Sequence, residues 1–137
     1  MNTRNMLILL ASSLLAIPAA AEEKKMNDEL EFVSGPPEQC ISLIRIDRTE
    51  VLDDQSILFH MRGDDIYLNH LPHRCPNLGF YESFMYRTSL NQLCNVDIIT
   101  VLNDIGFGFS PGPSCGLGLF YPVSEEDVSK LREKAKE

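Results

Sequence analysis

Positive charge is scarce in this chain: 12 lysines and arginines stand against 20 aspartates and glutamates, for a formal net charge of −8. Nucleic acid and anionic membrane surfaces both recruit a cationic face, so this balance excludes them as partners. Long apolar runs are also missing beyond the N-terminal segment; a spanning helix needs roughly 20 such residues. No internal repeat or low-complexity tract is present. Nor can a nucleophile elbow be placed, because the serines fall in turns and helix caps. Nothing local organises nucleophilic catalysis.

The N-terminal segment carries the marks of an export signal. Arg4 supplies the positive charge, Met6 to Ile17 the apolar stretch, and Ala19-Ala20-Ala21 a small-residue cleavage site before Glu22. No cysteine adjoins the expected cut, which argues against a lipid anchor. Residues 1–21 are therefore expected to be a signal peptide and the protein to be periplasmic or secreted, with no membrane insertion after cleavage. Removing them takes away Arg4 alone and leaves 11 basic against 20 acidic residues in a 116-residue mature chain. That length fits one domain with a shallow core.

All four cysteines, Cys40, Cys75, Cys94 and Cys115, lie in the mature part. In an exported chain an even count reads as a disulfide framework. Four cysteines allow three pairings. Cys40–Cys75 with Cys94–Cys115 is the expected one, since each loop then encloses one block of predicted strands.

Residues 22–39 are charged and close on Gly35-Pro36-Pro37, which reads as a flexible N-terminal arm with a short helical piece near Asp28 to Phe32. Apolar and polar residues alternate from Cys40 to Leu52, Ser56 to Met61 is a second strand, and Ile66 to Leu68 a third; Asp53-Asp54-Gln55 and Arg62-Gly63-Asp64-Asp65 form the turns between them. Prolines 72 and 76 make Leu71 to Gly79 irregular, and the aromatic Phe80 to Thr88 is a fourth candidate strand. Leu93 to Leu102 is rich in β-branched residues at both parities, as expected of a central strand covered on both faces. Asn103 to Gly118, with five glycines and two prolines, reads as loop, and Leu117 to Tyr121 as a last short strand. Ser124 is a good N-cap with Asp127 three residues on, which starts a C-terminal helix over residues 123–137. The expected fold is all-β: a small antiparallel barrel or sandwich of five to six strands over residues 40–122, with that helix outside. An oligonucleotide-binding-type barrel is one topology compatible with the count.

Several of these segments, Val51 to Phe59, Tyr67-Leu68-Asn69, Leu71 to Pro76, Leu93 to Val101 and Ser114 to Gly118, resemble an uncharacterised family of small exported, four-cysteine proteobacterial proteins. The resemblance covers Cys40 to Pro122. It implies an exported, disulfide-bonded, mostly β domain, and it brings no activity, substrate or catalytic residue.

Chemistry concentrates at few points. His70-x-x-His73-x-Cys75, with His60 as a further ligand, is the densest set of soft metal donors and would suit zinc or copper. Against it, Cys75 is expected in a disulfide. Asp97, within the apolar Leu93–Leu102 run, could be a general acid or base; pairing with Arg87 or Arg45, or with backbone N–H groups, is the plainer role. Asp53-Asp54 and Asp64-Asp65 lack the spaced pattern of a calcium loop and serve as turns. The glycine-rich run from Gly106 to Gly118 has no helix after it and no lysine near it, which removes a phosphate-binding role. Its Phe107 and Phe109 are the expected partner contacts. The function expected is thus a non-catalytic binding or interaction module for a protein or small-molecule partner. The alternative is a metal-binding protein or small metal-dependent hydrolase using His70 and His73.

Overall fold

The computed structural model describes residues 19–137. The expected signal segment lies outside the described residues except for Ala19 to Ala21, which open helix α1 (Ala19–Leu30). Among the described residues nine strands follow: β1 (Cys40–Ser42), β2 (Ile46–Asp53), β3 (Ser56–Met61), β4 (Ile66–His70), β5 (Phe84–Tyr86), β6 (Gln92–Cys94), β7 (Ile98–Asp104), β8 (Phe109–Gly116) and β9 (Phe120–Val123). A short helix α2 (Leu78–Tyr81) precedes β5, and α3 (Glu125–Ala135) ends the chain. The strands form three antiparallel sheets, ordered β2-β3-β4-β9, β5-β7-β8 and β1-β6. No sheet closes on itself, so the expected all-β fold takes its sandwich form rather than a barrel.

The centre of the molecule is β3, not the Leu93–Leu102 stretch. All six residues of β3 are buried because the four-stranded sheet is covered on both faces. Ile57, Phe59 and Met61 pack with Ile99 and Val101 of β7, and Phe59 meets Phe84 and Phe120 edge to face at 6.5 and 5.4 Å. Leu58, on the opposite face, packs with Leu68, Val128 and Leu131 beneath α3. Each such side chain contributes roughly 1.5–3 kcal/mol by leaving water.

Asp97 is what breaks the expected central strand. Its carboxylate accepts the Cys94 N–H at 2.6 Å, and its own N–H donates to the Cys94 carbonyl at 3.0 Å, closing a turn between β6 and β7. The backbone-bonded role expected for this residue is the one observed. The outer face of β7 stays open, so Ile98 is exposed while Ile99 and Val101 are sealed. Phe80 to Thr88 divides into α2 and β5, with Asn77 and Glu82 in left-handed backbone on either side of the helix. The glycine-rich run is largely strand: Pro111 and Pro113 are tolerated because β8 is the sheet edge.

The segment expected as a flexible arm lies against the domain. Val33 bridges Val123, Glu38 bridges Phe120, and the Ser34 N–H donates to the Pro122 carbonyl at 2.8 Å, so residues 33–38 cover the free edge of β9. The disulfides are Cys40–Cys94 and Cys75–Cys115, not the expected pairs. Neighbourhood in space decides this: Cys40 stands directly opposite Cys94 in the β1–β6 ladder, while Cys75–Cys115 joins the loop after β4 to the facing three-stranded sheet. Ser124 caps α3, its oxygen accepting the Asp127 N–H at 3.2 Å.

Candidate functional site

On the helix-covered face of the four-stranded sheet, alternation puts Ser56, Leu58 and His60 of β3 beside His70, Leu68 and Ile66 of β4. The middle is apolar and each end is polar. At one end α1 delivers Glu29, which is 6% exposed and has no cationic lysine or arginine among its hydrogen-bond partners. Glu29 accepts from the Ser56 hydroxyl at 2.8 and 2.9 Å, through its two oxygens, and from His70 Nδ1 at 2.6 Å. Among the described side chains of α1, Glu29 is the buried one; Glu23 to Asn27 are exposed. This buried carboxylate anchors the C-terminal end of the helix, and exposed contacts of Asp28 with Lys134 and of Lys25 with Asp53 add to it.

At the other end Glu50 of β2 takes a bidentate pair from Arg132 of α3, at 2.6 and 2.8 Å, and accepts from His60 Nε2 at 3.0 Å. His60 Nδ1 lies 3.3 Å from Arg48 Nη2, so both ring nitrogens are engaged. The Arg132 guanidinium, and after it the His60 imidazole, outweigh burial and hold the Glu50 carboxyl down at about 2, well under its ordinary 4.5. Glu50 in turn pushes Arg132 up. Burial, helped by Glu38 at 3.2 Å, raises the Tyr67 hydroxyl.

The expected metal ligands are not brought together. His60 and His70 occupy opposite ends of the β3–β4 pair, four strand residues apart, since Ser56 is the residue opposite His70; that is about 13 Å along the strand. His73 lies exposed on the following loop, and Cys75 is bonded to Cys115. Among the described residues no group of three His, Cys, Asp or Glu side chains converges for a metal.

Ser56, His70 and Glu29 have the residue types of a hydrolytic triad but not its wiring. Ser56 is fully buried and gives its proton to Glu29, and it faces Nδ1, the ring edge that the carboxylate already holds. A nucleophile needs the opposite edge. Gly112-Pro113-Ser114-Cys115-Gly116 matches the glycine–serine spacing of a nucleophile elbow, which the sequence reading passed over. It forms part of β8 with no helix after it, and the Ser114 hydroxyl pairs with Thr100 at 2.9 Å.

Phe107 and Phe109 lie at the β7–β8 tip, 90% and 62% exposed, with Ile105 also exposed. Positive φ at Gly106 (88°) and Gly108 (142°) sets the turn, and Asp104 accepts the Gly106 N–H at 2.9 Å. Glu29, Ser56, Glu50 and Arg132 went unseen in sequence: their partners lie 10 to 82 residues away, and no local spacing marks them.

A family model described as "Family of unknown function (DUF6491)" matches residues 2–137. The chain belongs to that family. The DUF6491 match extends past Cys40 to Pro122 to take in α1, the edge-covering segment and α3. No curated protein and no solved structure matches the chain.

Proposed function

We propose that this DUF6491 protein is a non-catalytic binding module, exported to the periplasm or secreted, that engages a partner through the β7–β8 tip. The observation that carries this is Phe107, 90% exposed on a tip with no charged residue from Ile105 to Phe109. Large aromatics left in water on a rigid mount are what binding hot spots are made of, each worth roughly 2 kcal/mol or more once buried in a partner. The tip is mounted on the β7–β8 ladder, whose pairing runs from Ile98 and Gly116 up to Asp104 and Phe109. Export is supported by the signal-like N-terminus and by the absence of free cysteines among the described residues.

A photo-crosslinking amino acid at position 107, in cells of the native host, tests the contact. A discrete adduct that is absent when the probe sits at Glu126, and lost in F109S, is the expected result. The same smear from both positions would refute the tip as a binding surface. N-terminal sequencing of the protein from the extracytoplasmic fraction checks the export half, with Glu22 as the expected first residue.

A further inference from the structure

The Glu29–His70–Ser56 cluster leaves one polar atom uncommitted. His70 is 8% exposed, and its Nδ1 lies 2.6 Å from Glu29. With Nδ1 donating to the Glu29 carboxylate, the neutral form of the ring has its lone pair on Nε2. Among the described residues Nε2 has no hydrogen-bond partner. It is not sealed in either: the one enclosed, unpartnered side-chain atom among those residues is Asn103 Oδ1. Nε2 therefore reaches open space, and His70 borders a groove of about 470 Å³.

Met26, Leu117, Leu119 and Tyr121 give the groove most of its apolar surface, and Gln55, Asn95 and Glu23 of α1 add polar groups to its lining. No lysine or arginine lines it. A lone pair on a histidine that borders this largely apolar groove, with Glu29 on the other edge of the imidazole and Glu23 in the lining, favours a donor that is also a cation. We propose that the groove binds a small organic ammonium ion with an apolar body, whose N–H donates to His70 Nε2. Glu29 is then a positioning residue, fixing the tautomer and the ring's orientation as a carboxylate behind a ligating histidine does. This site is distinct from the Phe107–Phe109 tip and does not depend on it.

Titration of the folded, disulfide-bonded protein at pH 8 with 2-phenylethylamine, followed by the His70 imidazole ¹⁵N and Met26 methyl signals, tests the assignment. Saturable shifts at both groups are expected, with none from phenylacetate, the anion of similar shape. H70F should weaken binding about tenfold or more, the usual loss for a hydrogen bond to a charged group. Because H70F also strips Glu29 of a partner and can unfold the domain, L119W is the second variant: it fills the groove, leaves the cluster intact, and should lose binding to the same degree. F107S/F109S should bind as the wild type does. No saturable shift, an equal response to phenylacetate, or undiminished binding in folded H70F or L119W would overturn the proposal.

Discussion

Two residues tie elements together, and each has a testable consequence. Glu50 sits where β2, β3 and α3 meet, and its folded-state pKa of about 2 lies below the ordinary 4.5. A depressed carboxyl contributes stability that is complete above its unfolded pKa and lost as pH falls through the folded one. The window is therefore about pH 4.5 down to 2. Arg132 is half-exposed, so solvent screening cuts the contribution to about 1–2 kcal/mol. Urea midpoints measured across that window should fall more steeply for the wild type than for E50Q by this amount; parallel curves would sink the assignment. Gly118 is the second residue. Its N–H and carbonyl are both held by the buried Asn69 side chain, at 2.9 and 2.7 Å, and a Cβ there would run into the His70 carbonyl oxygen. G118A should cost about 2–3 kcal/mol, by overpacking against backbone that cannot retreat. Gly116 has nothing within 4 Å of the same added atom, so G116A should stay within about 0.5 kcal/mol of the wild type in the same denaturation assay.

Elements with local causes were legible in the sequence, and those made by distant partners were not. The β2–β3–β4 hairpins follow from Asp53 and Gly63 turns between apolar runs, and Gln55 N–H to Asp53 Oδ1 at 2.7 Å is the side-chain turn that composition implied. The start of α3 was equally plain, because its cap lies within three residues. S124A should therefore lower stability by about 1 kcal/mol, with faster amide exchange confined to the first turn of α3. A global loss of protection instead would mean that α3 is part of the cooperative core. By contrast, β6 and β7 read as one strand because β-branched residues run through the break, which is made by the Asp97 carboxylate and N–H closing a turn on Cys94. The arm looked free because its anchors are non-local: Glu29 reaches Ser56 and His70, 27 and 41 residues on, and Glu38 pairs with Phe120. Of the candidate sites, the Phe107–Phe109 tip could be read from composition. The buried clusters could not, since each needs a strand register and a helix placement before its members meet.

At the scale of the molecule, the two disulfides do different work despite similar loops. Their sequence separations are 54 residues for Cys40–Cys94 and 40 for Cys75–Cys115, and the loops interleave. Chain entropy alone gives roughly 4 kcal/mol for either, slightly more for the longer one. Neither can be added to the other, because closing one loop shortens the search left for its neighbour. Placement breaks the tie the other way. Cys40–Cys94 joins residues already opposed in a two-stranded ladder, and both cysteines are only half-buried. Cys75 is fully buried within the main core cluster, where its bond holds the loop after β4 against the three-stranded sheet. Removing that bridge frees one layer of the sandwich from the other and opens a cavity at a fully packed position. C75A/C115A should therefore unfold at lower denaturant than C40A/C94A, although it deletes the shorter loop. Equal midpoints, or the reverse order, would show that the bridges act through the unfolded chain alone and that the inter-sheet contact needs no covalent support.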